Sequence, residues 1–313
     1  KVTVTITEKG GTETYDGTLK TVEGYTVTNI SDPLYKETDF SFSGTDSVSG
    51  KNAGIYNMEL KPEDFTNTNA NFTNVEFVIV DGTLTITKRQ VTLTSATKSK
   101  VYDGTALTDN TVTVTGDGWA AGEGATYDVT GSQTVVGNSP NAFTYELKDG
   151  TLASNYNISV VPGTLTVTAV TDKVTVTITE KGGTETYDGT EKTVTGYTVS
   201  TSNGLYTEAD FSFSGTASVS GTNAGTYNME LKPEDFANTN NNFSNVKFVI
   251  VDGTLTVNPK AVTITTGGAT KVYDGTPLTN NEASITGLVD GESVTLTTTG
   301  SQTEVGSSAN TYS

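Results

Sequence analysis

The stretch KVTVTITEKGGTETYDGT (residues 1–18) opens with a strict alternation of apolar and threonine side chains. Val2, Val4 and Ile6 fall on one face of an extended chain, and the intervening threonines fall on the other face. This period of two is typical of a half-buried β-strand. The Asp-Gly dipeptide at 16–17 favours a tight turn, because glycine accepts a positive φ at little cost. The stretch therefore predicts short strands separated by tight turns.

The same stretch returns unchanged at residues 173–190. It belongs to a longer repeat that closes with FVIVDGTLT, once at 77–85 and again at 248–256. A second, less similar unit carries KVYDGT, at 100–105 and again at 271–276, so that the two units alternate along the chain. Both units contain Tyr-Asp-Gly-Thr, which indicates one ancestral module. We predict four modules, namely A (residues 1–87), B (88–170), A′ (171–257) and B′ (258–313).

The composition excludes several kinds of chemistry. The 313 residues include no histidine and no cysteine, and 18 basic side chains stand against 36 acidic ones, for a net charge of −18. A Ser-His or Cys-His nucleophile, an imidazole base, a thiolate zinc site and a disulfide framework are therefore ruled out. The acidic balance also disfavours nucleic acid, because neutralising phosphates requires a basic patch. We predict a protein that is not an enzyme, with no catalytic, cofactor-binding or metal-binding residues and no nucleic-acid partner.

The spacing of strands and turns predicts an all-β fold. Turn residues recur every ~10 residues, and about seven short strands fit into a complete module, as in an immunoglobulin-like β-sandwich. KPEDF at 61–65 is expected to form a single helical turn, with its proline near the start. The joint between A and B, TLTITKRQVTLTS at 83–95, contains no flexible linker. We predict tandem immunoglobulin-like β-sandwich modules in an elongated array, with limited bending at the joints.

Tyr-Asp-Gly-Thr occurs four times, and this repetition needs a physical reason. Aspartate can accept hydrogen bonds from nearby backbone amides in a turn, and glycine supplies the positive φ. Tyrosine can bury its ring while its hydroxyl reaches a polar partner. A ligand site is the alternative, but an element present in every module favours a structural role. We interpret the four copies as turns, at residues 15–18, 102–105, 187–190 and 273–276.

Several short elements together resemble the MBG domains of bacterial surface proteins. They are the (K)VYDGT opening, the NAGTY element at 223–227, an NF or NY pair such as 71–72, and the GTLTVT ending at 163–168. The likeness recurs in the same order in the four modules, although B and B′ read SPNAFTY and SSANTY in place of NAGTY. It implies tandem immunoglobulin-like modules in large exported proteins, and the family carries no catalytic residues to transfer.

The resemblance implies a stalk as the first hypothesis for function. The chain would be a non-catalytic spacer of an adhesin-like bacterial protein at the cell surface, projecting a distal domain, with its cell-wall anchor outside this segment. The alternative is that the modules themselves bind a host glycan or an extracellular matrix protein. The A copies differ at polar positions such as Lys36 and its counterpart Thr207, without a new aromatic or cationic cluster, which favours the spacer. We expect a monomer and no membrane insertion within this segment, since no apolar run approaches ~18 residues.

Two loop regions carry hypotheses for ligand binding. The Asn-rich segments 63–74 and 237–245 could hold Ca²⁺ through oxygen ligands, although such segments commonly satisfy their own backbone instead. Trp119 lies in an irregular loop that its counterpart in B′ lacks. It could stack on a sugar or a partner protein, or it could cap the edge of a core.

Two further hypotheses concern covalent chemistry. The carboxylate pairs Glu63/Asp64 and Asp117/Glu123 could cleave glycosides only if a cleft placed them at a suitable separation. Lysine–asparagine isopeptide crosslinks, which occur in some bacterial stalk domains, would suit a chain without cysteine. The conceivable partners are Lys1 and Lys173 on first strands, and Asn74 and Asn245 near last strands.

Module B′ is C-terminally incomplete relative to module B. The stretch ELKDGTLASNYNISVVPGTLTVT, at 146–168 in B, has no counterpart in B′ and should form the last two strands of the module. Without these strands, sheet edges remain open and can pair with another chain. Either the segment ends early or a neighbouring molecule donates the strands, and we favour the first interpretation.

Overall fold

The computed structural model describes residues 1–313 and contains only β-strands, short 3₁₀ turns and loops. Backbone contacts divide the chain into two compact units, Lys1–Thr168 and Ala169–Ser313, whose boundary lies two residues before the predicted joint between modules B and A′. Nowhere in the chain is a helix long and apolar enough to span a membrane. The predicted all-β class with tandem immunoglobulin-like sandwich modules is confirmed.

The first unit contains eighteen short strands. In module A they are β1 (Val2–Glu8), β2 (Gly11–Thr14), β3 (Lys20–Glu23), β4 (Tyr25–Ile30), β5 (Phe40–Phe42), β6 (Ser47–Gly50), β7 (Gly54–Asn57), β8 (Phe65–Asn67), β9 (Val75–Val80) and β10 (Thr83–Thr87). In module B they are β11 (Arg89–Ser95), β12 (Lys98–Val101), β13 (Val112–Gly116), β14 (Ala125–Val129), β15 (Gly137–Asn141), β16 (Phe143–Leu147), β17 (Tyr156–Val161) and β18 (Gly163–Thr168). The 3₁₀ turns are Glu37–Asp39, Pro62–Asp64 and Ala153–Asn155.

The second unit repeats module A strand for strand. In A′ the strands are β19 (Val174–Glu180), β20 (Gly183–Thr186), β21 (Lys192–Thr195), β22 (Tyr197–Thr201), β23 (Phe211–Phe213), β24 (Ser218–Gly221), β25 (Gly225–Asn228), β26 (Phe236–Asn238), β27 (Val246–Val251) and β28 (Thr254–Asn258), with 3₁₀ turns at Glu208–Asp210 and Pro233–Asp235. Module B′ contains β29 (Thr263–Thr266) and β30 (Ala283–Thr286). The helical turn expected for KPEDF is present in both copies. The expected number of about seven strands was too low, because strands as short as β5 are too brief to show alternation.

In each complete module, the first two strands pair in parallel with the last two strands. In module A, β1 pairs in parallel with β9 and antiparallel with β4. The chain then passes into a second sheet at residues 9–10 and 81–82, and we call this passage the step between the sheets. In the second sheet, β2 pairs in parallel with β10, which pairs antiparallel with β7. The parallel register is the same on both sides of the step, with Val2 opposite Val75 and Gly11 opposite Leu84. Module B repeats this plan with the sheets β13-β11-β17 and β12-β18-β15.

The alternation that opens the sequence marks the core correctly. Val2, Val4 and Ile6 are buried, and the threonines between them are half-buried. They pack with aromatic side chains such as Phe65 and Phe77, whose ring centroids lie 5.5 Å apart. Burial of one such side chain stabilises a fold by about 1.5–3 kcal/mol relative to an exposed position. The core of module A is therefore apolar and aromatic, without any crosslink from cysteine.

A buried glutamate lies at the step between the two sheets of module A. Glu8 is 4% exposed. Its Oε1 accepts a hydrogen bond from the Leu60 amide at 2.6 Å, and its Oε2 accepts one from the Gly82 amide at 2.7 Å. A Cβ at Gly82 would come within 2.5 Å of the Lys9 carbonyl oxygen, so the step also requires glycine there. The carboxylate thus satisfies two backbone amides that water cannot reach.

The same clamp recurs in A′ and is rebuilt in B. Glu180 accepts hydrogen bonds from the Leu231 and Gly253 amides at 2.7 and 2.8 Å. In module B, Ser95 occupies this position, and its hydroxyl accepts from the Gly163 amide at 2.9 Å. Strand patterning does not distinguish Glu8 from an exposed polar residue before a turn, so the sequence did not predict this clamp.

Candidate functional site

Each Tyr-Asp-Gly-Thr copy forms the turn predicted for it. Asp16 Oδ1 accepts hydrogen bonds from the Thr18 amide at 2.9 Å and from the Thr18 hydroxyl at 2.6 Å. Gly17 between them has a φ of 83°, which a glycine adopts without strain. The same pair of hydrogen bonds joins the aspartate and threonine of the other three copies, Asp103 to Thr105, Asp188 to Thr190 and Asp274 to Thr276.

A lysine completes every one of these turns, and it comes from different positions in the two module types. In module A, Lys20 Nζ lies 2.5 Å from Asp16 Oδ2. In module B, Lys100 Nζ lies 2.6 Å from Asp103 Oδ1, although this lysine precedes the turn in the sequence. The hydrogen bonds from Lys20 and Thr18 hold the pKa of Asp16 well below its usual range, because they stabilise the charged carboxylate.

This arrangement predicts an unusual titration of four carboxyl groups. We expect the Asp16, Asp103, Asp188 and Asp274 carboxylates to remain ionised at pH 3, where an aspartate in an unfolded chain, with a pKa of about 3.9, is mostly protonated. Because folding lowers their pKa values, these carboxylates contribute their full stabilisation at pH values above the unfolded pKa of about 3.9. This contribution is lost as the pH falls through their folded pKa values. NMR titration of the side-chain carboxyl carbons measures this, with Asp16→Asn to assign one signal. Titration near pH 4 would contradict it.

Tyr15, the tyrosine of the first copy, lies at the joint between modules A and B. Its hydroxyl donates a hydrogen bond to Glu123 Oε1. The Tyr156 hydroxyl donates to Glu123 Oε2 at 2.6 Å and accepts a hydrogen bond from the Ala120 amide at 3.0 Å. The two tyrosine rings meet edge to face with their centroids 5.6 Å apart. Burial, followed by the bond to Glu123, raises the pKa of Tyr15 to about 12.

Arg89, the only arginine of the chain, also connects the two modules at this joint. Arg89 donates hydrogen bonds to three backbone carbonyl oxygens: Nε to Gly118 at 2.7 Å, and the terminal nitrogens to Asp117 at 2.5 Å and Tyr15 at 3.3 Å. The Asp117 carboxylate accepts from the Gln90 amide at 2.8 Å. The planar guanidinium therefore connects the Tyr15 turn of module A to the loop at 117–124 of module B.

A third contact across the joint explains the NAG element of module A. The buried Asn155 side chain accepts a hydrogen bond from the Ala53 amide at 2.9 Å and donates one to Asn52 Oδ1 at 3.1 Å. One cluster of buried apolar side chains includes Leu84 of module A and Leu93 of module B, with both tyrosines. The joint is therefore a packed interface and not a flexible connection.

Trp119 lies at the edge of this core. Its ring centroid is 4.9 Å from that of Tyr156, and its Nε1 donates a hydrogen bond to the Tyr127 hydroxyl at 3.3 Å. The side chain is half-buried. Of the two interpretations from the sequence, the structure shows the core-edge position, with the indole against Tyr156 and Tyr127.

The second unit keeps the tyrosine–carboxylate contact but fills its joint less completely. The Tyr187 hydroxyl donates to Glu292 Oε1, and this bond raises the pKa of Tyr187. Lys260 stands where module B has Arg89, and Trp119 has no counterpart. A cavity of about 270 Å³ lies here, lined by Tyr187 and Glu292 among others.

Several of the remaining candidate residues have partners of their own. In the Asn-rich segment 63–74, Asn67 Oδ1 accepts a hydrogen bond from the Tyr35 hydroxyl at 2.9 Å, and its amide nitrogen donates to the Phe72 carbonyl at 2.6 Å. Asp64 accepts from the Lys61 amide at 2.8 Å as part of the 3₁₀ turn. Lys1 forms an ion pair with Glu76 at 2.6 Å, and Asn245 donates to the Thr171 carbonyl. The side-chain oxygens of Asn67 and Asp64 thus already accept hydrogen bonds from within module A.

The sheets and the joints define the chain as a tandem series of immunoglobulin-like β-sandwich modules. The family described as MBG domain matches residues 2–88 and 174–259, which coincide with modules A and A′ to within three residues at each end. These ranges make up more than half of the chain, so the chain belongs to the MBG domain family. The resemblance that the short sequence elements indicated is confirmed, and modules B and B′ lie outside the matched ranges except for their first one or two residues.

Comparison with curated proteins finds no match. Among solved structures, the crystal structure of the N-terminal eight Ig domains of Down Syndrome Cell Adhesion Molecule (DSCAM) isoform 1.30.30 matches at 12% identity, with a TM-score of 0.16. The alignment covers 96% of this chain and 48% of that one, so this chain spans about half the length of that structure. A superposition this weak carries no argument about fold or function.

Proposed function

We propose that the chain is a non-catalytic spacer in a large adhesin-like protein of the bacterial cell surface. It would hold a distal domain away from the cell wall, and its modules would be 1–87, 88–170, 171–257 and 258–313. Membership of the MBG domain family supports a place in a surface-protein repeat region. The observation that carries the proposal is the joint between A and B, where buried side chains from both modules form one cluster. A spacer keeps its reach only if its joints resist bending.

The use of side chains at the joint also supports a spacer over a module that binds ligand itself. Trp119 and Arg89 are the types of residue that commonly dominate recognition surfaces. Here each of them bonds to or packs against residues within the joint. The alternative function, binding of a host glycan or a matrix protein by the modules, would have to use other surfaces.

The stiffness of this joint can be measured directly. Because the chain has no cysteine, Leu34→Cys in module A and Val135→Cys in module B introduce unique sites for spin labels, and both positions are more than half exposed. We expect a single narrow distance distribution between the labels by electron paramagnetic resonance. Glu123→Ala removes the acceptor of both tyrosine hydroxyls and should broaden the distribution.

The control for this experiment is Glu146→Ala, which removes an exposed glutamate of the same module and should leave the distribution narrow. An unmodified protein with a distribution as broad as that of Glu123→Ala would contradict the spacer proposal. The alternative is tested by applying the unmodified protein to a glycan array and to matrix proteins. Saturable binding there would favour the adhesive function.

A further inference from the structure

The strands by which the chain enters and leaves a module are paired with each other in parallel. In A′, the chain enters through β19 and β20 and leaves through β27 and β28. β19 forms six parallel residue pairs with β27, and β20 forms four with β28. Module B has the same numbers of pairs between β11 and β17 and between β12 and β18. We call these pairs the parallel ladder of a module. Both modules have further chain on either side, so tension along the protein passes through the ladder.

Parallel pairing places the two attachment points of a module at opposite ends of its ladder. In A′, the entering chain is attached at Val174, opposite Val246, and the leaving chain is attached at Asn258, opposite Thr186. Pulling on both chains would slide the first two strands along the last two, since the two forces point away from the ladder in opposite directions. The hydrogen bonds of a ladder cross between the strands, so this pull loads them together. A pull at one end of the ladder would load them one after another.

The entering and leaving strands are also held on their second edges. β19 lies at the centre of the sheet β22-β19-β27, and β28 lies at the centre of β20-β28-β25. Neither strand can leave its sheet by separating from a single neighbour. The entering chain is held even ahead of β19, because the Val170 amide donates to the Asn242 carbonyl at 2.9 Å and the Ser244 amide donates to the Val170 carbonyl at 3.0 Å. Tension on this chain therefore meets backbone hydrogen bonds before it reaches β19.

The buried glutamate at the step bridges the interruption in the ladder of A′. Backbone pairing stops after Thr179 and resumes at Gly183. Within this gap, Glu180 accepts a hydrogen bond from the Gly253 amide at 2.8 Å, and this bond joins the entering stretch to the leaving stretch. A hydrogen bond to a carboxylate is stronger than one between neutral groups. In module B the Ser95 hydroxyl takes this place. The side chain at the step thus connects the two stretches where the backbone does not.

We propose that modules A, B and A′ bear tension, and that each resists stretching through shear of its parallel ladder. The side chain at the step makes the two halves of the ladder yield together. This function goes beyond that of a spacer, because reach depends on resistance to bending at the joints, whereas tension is resisted within each module. A stiff joint does not imply a module that is strong under load, so the two functions are tested by separate measurements.

Single-molecule force spectroscopy on the full chain tests the direction of load, because a protein without cysteine accepts handles at chosen positions. Asp172→Cys with Lys260→Cys pulls on opposite ends of the ladder of A′, and Asp172→Cys with Lys247→Cys pulls on one end. All three side chains are exposed. At the same loading rate, we expect a severalfold higher unfolding force between 172 and 260, where release of residues 174–258 lengthens the tether by about 250–300 Å. Both proteins contain the same folded module, so the difference in force reports the direction of load.

A matched pair of variants tests the part played by the step. Glu180→Ala should lower the unfolding force between 172 and 260, whereas Glu185→Ala, the same change at an exposed position of β20, should leave it unchanged. Equal forces in the two pulling directions would overturn the proposal, because the ladder would then not be loaded in shear. An undiminished force in Glu180→Ala would overturn the role of the glutamate. The comparison of directions leaves the core intact, so it decides the proposal even if Glu180→Ala does not fold.

Discussion

Replacing Glu8 by alanine is expected to destabilise module A by about 3–5 kcal/mol. The change leaves the Leu60 and Gly82 amides without an acceptor at the buried step between the sheets, and each orphaned buried donor costs about 1–3 kcal/mol. It also leaves a cavity in place of the carboxylate and its methylenes. Since small domains are stable by only about 5–15 kcal/mol, much of the stability of the module would be lost.

Module A′ supplies an internal reference for this measurement. Amide hydrogen exchange followed by NMR reports the free energy of opening separately for Ile6 in β1 and for Ile178 in β19. We expect faster exchange at Ile6 in the Glu8→Ala variant and unchanged exchange at Ile178, where Glu180 is intact. Glu13→Ala, which removes an exposed glutamate of the neighbouring strand, is the control. Unchanged exchange at Ile6 would show that the carboxylate does not support the step.

Replacing Glu123 by alanine is expected to cost about 2–4 kcal/mol and to separate the unfolding of module A from that of module B. Tyr15 and Tyr156 are each 3% exposed, so both hydroxyls would be left buried without their acceptor. Charge-assisted hydrogen bonds of this kind contribute more than neutral ones, which places the expected loss at the upper end for two contacts.

Trp119 makes the effect easy to follow, because it is the only tryptophan and its ring lies 4.9 Å from that of Tyr156. Urea unfolding monitored by its fluorescence should show a lower midpoint in Glu123→Ala. Glu123→Gln keeps one acceptor oxygen and should lose about half as much. Glu146→Ala is the control. If Glu123→Ala, Glu123→Gln and this control all unfolded at the same urea midpoint, the bonds of Glu123 would contribute nothing to stability.

The sequence repeat and the alternation of apolar and polar side chains were enough to predict most of the fold. A period of two over β1 determines which side chains enter the core, because successive side chains of a strand point to opposite faces. The turn at Asp16 was equally predictable, since its hydrogen bonds are local and involve residues two positions apart. Features of this kind depend on neighbours in the sequence, and a single chain is enough to show them.

The joint was not predictable in the same way. The sequence indicates Glu123 and Asp117 only as a carboxylate pair, and Trp119 as a residue of an irregular loop, yet Glu123 bonds to Tyr15 of module A and Trp119 packs against the apolar cluster that both modules share. Tyr15 and Glu123 are 108 positions apart, and no local pattern connects them. The signal that could have found them is the retention of a glutamate in the corresponding loop of B′, at Glu292, despite the shorter loop.

For this protein, the sequence by itself determined the all-β class, the alternating modules, the faces of the main strands and the role of the repeated turns. Only the tertiary structure decided that Glu8 clamps the step between sheets and that a tyrosine–glutamate–tyrosine contact closes the joint. The physical reason is the separation along the chain between the residues that interact. Strand patterns and turns arise from residues close in the chain, whereas buried hydrogen bonds between distant segments exist only once the sheets have brought those segments together.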